Sequence, residues 1–168
     1  VDCVLRGGQI TDQSLIARHV GDLQIGVYVA PSYVERLGAP AHPRELQNTD
    51  HCIVGFLSSR TSKIDPLVLC SENERIEITG NYVLAVDDGN AYLEAGLVGL
   101  GVIALPNYMA AAHQAVGALI PIFTQWRISP MPLYLAFPRN RHVNAKLRVF
   151  IDWIVEVMLQ HVPIANNQ

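Results

Sequence analysis

A chain of 168 residues, half of them apolar and only 16% charged, can bury a sizeable core and excludes wholesale disorder. Its formal net charge of -3, with no block of Lys and Arg, lacks the electrostatic footprint of a nucleic-acid surface, so any contact with DNA is expected from another segment. The longest apolar candidate, Val98 to Pro106, is far short of the roughly 18–20 residues of a membrane span, and Asp2 and Arg6 interrupt what would have to be the core of a signal peptide.

In chain order, Val1 to Leu5 reads as a short buried strand ending at Arg6, Gly7 and Gly8. A strand start without an initiating methionine is expected for the middle of a larger protein. Leu15 to Val29 is rich in β-branched residues and is expected as two strand stretches broken at Gly21-Asp22. Pro31 and Ser32 followed by Glu35 give a capping-box arrangement, and Gly38 closes that short helix. Pro43 suits the first turn of a second short helix to about Leu46, and His51 to Leu57 reads as a buried strand.

From Pro66 to Val86 the pattern alternates, with Ile76 and Ile78 set against Arg75 and Glu77, and Gly80-Asn81 is a candidate turn. Asp87-Asp88-Gly89-Asn90 opens a helix to about Gly99, with Asp88 as its cap. Val102 to Leu105 is a short strand, Pro106-Asn107 opens a helix through His113, and Ala118 to Phe123 and Leu133 to Phe137 are further strands. The last helix puts Val143, Leu147, Phe150, Ile151, Ile154, Val157 and Met158 on one face. Strands alternating with helices imply an α/β class with a mixed sheet. Hinge positions are expected near Gln24 to Val29 and near Trp126 to Leu133.

Catalytic motifs are scarce: there is no GxSxG elbow, P-loop, HExxH or GxGxxG after a strand. Gly99-Leu100-Gly101 resembles half a dinucleotide fingerprint, but it ends a helix and leads into a strand, so it reads as a packing device. His113, His142 and His161 lie on or beside helices without a second ligand at i+4. His19, His42 and His51 read as isolated in turns or strand ends, so no metal site is expected. Ser58-Ser59 and Ser62 form a polar loop with no general base in its local pattern. Cys3, Cys52 and Cys70 are odd in number and lack CxxC spacing, which favours a reducing cytosol and idle thiols.

Two features are suited to lining a binding cleft. Arg6 ends an apolar strand and is followed by glycines that admit a ligand to the backbone. The helix opening at Asp88-Gly89-Asn90 offers free N–H groups and a favourable dipole end. A surface arginine and an ordinary helix cap are the plainer readings of the two.

The segments VDCVLRGGQITDQSLIARHVGDLQIGVYVAPSYVERLGAP, HPRELQNTDHCIVGF, VDDGNAYLEAGLVGLGVIALPNYM and PLYLAFPRNRHVNAKLRVFIDWI stand in an order and spacing that resembles the regulatory domain of LysR-type transcription regulators. The likeness is strongest to the branch with a tryptophan in the last helix. It implies a two-lobe, periplasmic-binding-protein-like (type II) α/β fold with mixed sheets and an effector held between the lobes. Positions 25–125 would form the second lobe, and positions 1–24 with 126–168 the first, which lacks about fifty opening residues of the family pattern. The winged helix-turn-helix and long dimerisation helix of the family would precede those.

By position, the resemblance assigns Arg6, Gly7 and Gln9 to the loop that reaches the effector from the first lobe. Asp88, Gly89 and Asn90 match the helix start that reaches it from the second, with Pro106 at the adjoining loop. An acidic Asp88 departs from members that bind carboxylates there and argues against a simple anionic effector. Cys52 and Cys70 lack the spacing of the redox-sensing members. The family implies a cytoplasmic regulator that is not an enzyme and takes no cofactor or metal. Its partners would be a small-molecule effector, further copies in a homodimer or homotetramer, with Ala91 to Leu100 part of that surface, and DNA through the upstream module alone; no membrane is implied. An extracytoplasmic solute-binding protein of similar fold is the alternative, and a ligand-free oligomerisation module a further one.

Overall fold

Ile76 and Ile78 are buried while Arg75 and Glu77 are exposed, as the alternation requires of a strand with one wet face. The structure is a computed structural model that describes residues 3–10, 12–48, 50–58, 61–139 and 145–161. The expectations that fall on Val1, Asp2, Ser59, His142 and Val143, and on the His161 side chain, lie outside the described residues.

The elements, in order, are β1 (Val4–Gly7), β2 (Leu15–Leu23), β3 (Ile25–Val29), α1 (Pro31–Leu37), α2 (Glu45–Asn48), β4 (Ile53–Phe56), β5 (Leu67–Cys70), β6 (Arg75–Ile78), β7 (Tyr82–Val86), α3 (Gly89–Leu97), β8 (Ile103–Pro106), α4 (Asn107–Ala115), β9 (Ile120–Ile122), β10 (Met131–Pro138) and α5 (Ala145–His161). They gather into two units, Val1–Gln24 with Pro130–Gln168, and Ile25–Ser129.

In the second unit β3 is the middle of an antiparallel sheet of order β8-β3-β9. Successive side chains of a strand point to opposite faces, and here both faces are covered. Val27, Val29 and Val102 join one core cluster with Tyr33, Leu46 and Ile53. Tyr28, Ile103 and Leu105 join another with Val54, Tyr92 and Ala95. That double burial is why these strands read as continuous apolar runs. β4 pairs in parallel with β7, β5 forms an antiparallel pair with β6, and a bridge from Cys70 to Arg127 ties the segment after β9 to the end of β5.

Glycines in this unit permit close approach. A Cβ on Gly101 would stand 2.9 Å from the Cys52 carbonyl oxygen, and one on Gly96 2.2 Å from Ile103 Cδ1. The Gly99-Leu100-Gly101 step therefore packs a helix end against a strand.

The first unit holds the sheet β1-β10-β2, antiparallel throughout. Leu133, Leu135 and Phe137 of β10 meet Val20 of β2 and Ile151 of α5, with Leu147, Ile154, Val155 and Met158 packed around them. The register of β2 slips once: His19 pairs with Tyr134 and Gly21 with Leu133, leaving Val20 as the extra residue of a bulge.

Four expectations are corrected. β1 is an edge strand with Val4 and Leu5 about two-fifths exposed, and Arg6 and Gly7 are inside it rather than after it. β2 passes through Gly21-Asp22 and the break comes at Gln24, because the bulge absorbs the irregularity that Gly-Asp signals. The capping box at α1 does not form: Ala30 is the cap residue without a side-chain hydrogen bond, and Pro31 occupies the first turn, where its missing N–H costs nothing. On α5, Phe150 is 42% exposed and Val155 packs in the core instead.

Candidate functional site

In the first unit, cross-strand partners share a sheet face, so pairing of Arg6 with Tyr134 and of Tyr134 with His19 sets these three side by side. The His19 and Tyr134 rings lie 5.4 Å apart, and His19 Nε2 is 3.0 Å from an Asp22 carboxylate oxygen. Arg6 and Gln9 are exposed. Gly7 lies against Met131, whose terminal methyl would stand 2.8 Å from a Cβ there. Gly8 adopts φ 81°, a backbone that L side chains avoid, and its N–H donates to the Pro132 carbonyl.

In the second unit, Asp88 caps α3 from an extended backbone, and its Oδ1 accepts from the N–H groups of Asn90 and Ala91, both at 2.9 Å. This corrects the expectation of free N–H groups at that helix opening. The carboxylate already satisfies two of the donors and offsets the positive end of the helix dipole, which disfavours an anion there. Gly89 opens α3 with its Cβ position 3.9 Å from Met109 Cε, and Asn90 follows, exposed. Pro106 ends β8, pairs with Ile25 and is the cap residue of α4. Arg6, Gly7 and Gln9 thus fall close together in the first unit, and Asp88, Gly89 and Asn90 in the second.

Three histidines are not isolated, contrary to expectation: His19 finds a partner on its own strand, and His42 and His51 find theirs on other elements. Besides the His19–Asp22 pair, His42 Nε2 lies 3.6 Å from Glu74 and its ring meets Trp126 edge-on. His51 is 9% exposed; its Nδ1 is 2.8 Å from the Tyr33 hydroxyl, and its Nε2 is 3.8 Å from Glu45. Tyr33 Oη also accepts from the Cys52 N–H, and burial raises its phenol above the usual value. Among the described residues, no group of three or more His, Cys, Asp or Glu is placed to hold a metal, and no helix is long and apolar enough to cross a membrane. Cys3, Cys52 and Cys70 are free thiols, each partly exposed rather than buried.

One local arrangement carried no signal in the sequence. Tyr28 folds back over Gly26, where a Cβ would stand 2.4 Å from the phenol oxygen, and donates to Asn107 Oδ1 at 2.9 Å. An alternating strand with a glycine in it does not announce that the next tyrosine turns along the strand.

The chain matches the family model described as the LysR substrate binding domain over residues 1–159. It belongs to this family. A transcriptional repressor of the HTH type from Pseudomonas aeruginosa is 28% identical over 98% of this chain and 51% of its own length. The regulator YhjC of Escherichia coli is 30% identical over 96% of this chain and 53% of its own. The regulatory domain of CrgA, a LysR-type transcriptional regulator from Neisseria meningitidis, superposes with a TM-score of 0.76 at 26% identity, covering 94% of this chain and 76% of that one.

The LysR-type domain therefore has the periplasmic-binding-protein-like fold, and its relatives are transcription regulators rather than enzymes. It spans about half the length of the curated relatives it matches.

Proposed function

We propose that this LysR-family domain is the effector-sensing part of a cytoplasmic DNA-binding regulator. A small metabolite binds between the lobes and shifts the population of lobe arrangements, and the shift alters how a homodimer or homotetramer presents its upstream helix-turn-helix modules to a promoter. A ligand moves such an equilibrium only by its difference in affinity for the two arrangements, which residues contributed by both lobes would supply. The observation that carries this reading is the family match over residues 1–159 together with relatives named as HTH-type transcription regulators.

Arg6, Gly7 and Gln9 would reach the effector from one lobe, and Asp88, Gly89, Asn90 and Pro106 from the other. An exposed Arg6 with a planar, permanently charged head supports that role, because it can bind a polar group in a forked geometry. Lobe limits of 1–24 with 126–168, and 25–125, are part of the proposal, and the exposed Val98 and Leu100 support the end of α3 as part of the oligomer surface.

The test uses the complete native regulator on its own promoter. Metabolites are screened by thermal shift, and those that raise the melting temperature are assayed for a change in the DNA footprint. Arg6→Ala is expected to weaken the dose-response by about tenfold or more, as loss of a charge-assisted contact does, with basal DNA binding unchanged. An unaltered dose-response would remove Arg6 from the site, and a complete protein without DNA binding would overturn the regulator reading.

A further inference from the structure

We infer that the second unit contains a small-molecule site of its own, which takes an uncharged, flat molecule carrying hydrogen-bonding groups. This goes beyond the effector reading above, since none of the seven residues assigned to the cleft lines it and every described residue that does belongs to the second unit.

The site is a recess of about 430 Å³ between β3, one face of α4 and the segment that follows β9. That volume falls in the range of roughly 300–1,000 Å³ typical of small-ligand pockets. Its walls mix polar and apolar surface in about equal parts, with Phe123 and Trp126 presenting aromatic surface and Ala111 a small floor on α4. Flat aromatic walls favour a planar guest, which stacks with little loss of conformational entropy.

The polar groups at the rim have capacity to spare. Tyr28 donates to Asn107 Oδ1, which leaves the NH2 group of this lining residue as an available donor. Gln114 and Thr124 also line it, and among the described residues neither side chain has a hydrogen-bond partner. Donors and acceptors are thus both available, held by a strand, a helix and a short turn.

Charge selects the guest further. Among the described residues, no Lys, Arg, His, Asp or Glu lines the recess. A carboxylate or ammonium moved there would lose hydration without gaining a partner of opposite charge, whereas an amide or phenol would exchange water for Asn107, Gln114 or Thr124 at little cost. The tightly folded Tyr28–Gly26–Asn107 corner keeps the recess preformed, because any side chain at position 26 would displace the phenol.

Benzamide and benzoate separate these factors, being alike in shape and different in charge. The full 168-residue chain with Trp153→Phe leaves Trp126 as the one tryptophan, so its emission reports on the recess. Benzamide is expected to shift that emission saturably, and benzoate to bind at least about tenfold more weakly. Ala111→Phe, which fills the floor from an exposed helix position, should abolish the benzamide response while the melting temperature holds. Asn107→Asp, isosteric but without the NH2 donor, should weaken it by about tenfold. Equal or tighter binding of benzoate, a response indifferent to both substitutions, or no saturable shift up to the solubility of benzamide would each overturn the inference. None of these results bears on whether the complete regulator senses an effector through Arg6, which the promoter footprint reads separately.

Discussion

Two pairs of aromatic residues, one in each unit, fare differently. In the second, Tyr33 is fully buried and Tyr92 is 7% exposed, and each phenol oxygen accepts a backbone N–H, from Cys52 and Ala104 respectively. In the first, Phe150 and Trp153 lie with ring centroids 5.8 Å apart on the flank of α5, 42% and 55% exposed. The residue class is the same, and the layers around each pair set the outcome. A sheet covered on both faces gives a tyrosine an apolar body contact and a nearby backbone donor together. A helix that covers one face of a three-stranded sheet buries one stripe, here Leu147, Ile151, Ile154 and Met158, and leaves its flank open.

The contrast can be broken by substitution. Tyr33→Ala should cost about 4 kcal/mol of stability by denaturant titration, combining a large cavity with the loss of a partner for Cys52 N–H and His51. A cost under about 1 kcal/mol would show that this core is not close-packed.

The next largest effect is alkaline. Burial pushes the Tyr92 phenol up to about 12 from an ordinary value of 10.0, with the Ala104 N–H pulling the other way. Below the ordinary value both folded and unfolded chains keep the proton, and the contribution is complete. As the pH rises from there toward the folded value, the unfolded chain ionises first, so stability falls, by an amount of order 2 kcal/mol. Denaturant midpoints followed through this alkaline window should drop less in Tyr92→Phe than in the parent chain, and identical drops would mean that Tyr92 does not dominate.

Asp88→Ala should cost about 1 kcal/mol, the usual price of losing an acidic or hydroxyl cap, and Asp88→Asn should recover most of it. At the small end, Trp153→Ala should change stability by less than about 0.5 kcal/mol, as expected for an exposed side chain. A loss near that of Tyr33→Ala would show that the flank of α5 is covered in solution.

The sequence made most element types legible, because their signals are local. Asp88 caps α3, Gly80-Asn81 forms the turn between β6 and β7 with both residues at positive φ, and Ile76 and Ile78 point inward. What it did not disclose depends on partners remote along the chain. The pairing of His42 with Glu74, the Tyr33–His51 contact and the exposure of Phe150 are set by which elements meet. The candidate site was legible as residue types and a resemblance.

The bulge at Val20 acts on β2 much as an inserted letter acts on a reading frame. Before it, Ile16 and Arg18 stand opposite Phe137 and Leu135; after it, Gly21 and Leu23 take that side, opposite Leu133 and Met131. The extra residue thus changes odd for even, turning Leu23 toward the core cluster and Asp22 to the side where His19 awaits it. Deleting Val20 would remove the bulge and leave Gly21, Asp22 and Leu23 opposite Leu133, Pro132 and Met131, whereas forcing Val20 into regular pairing with Leu133 would invert the remainder of the strand, presenting Asp22 to the apolar layer and Leu23 to the opposite face.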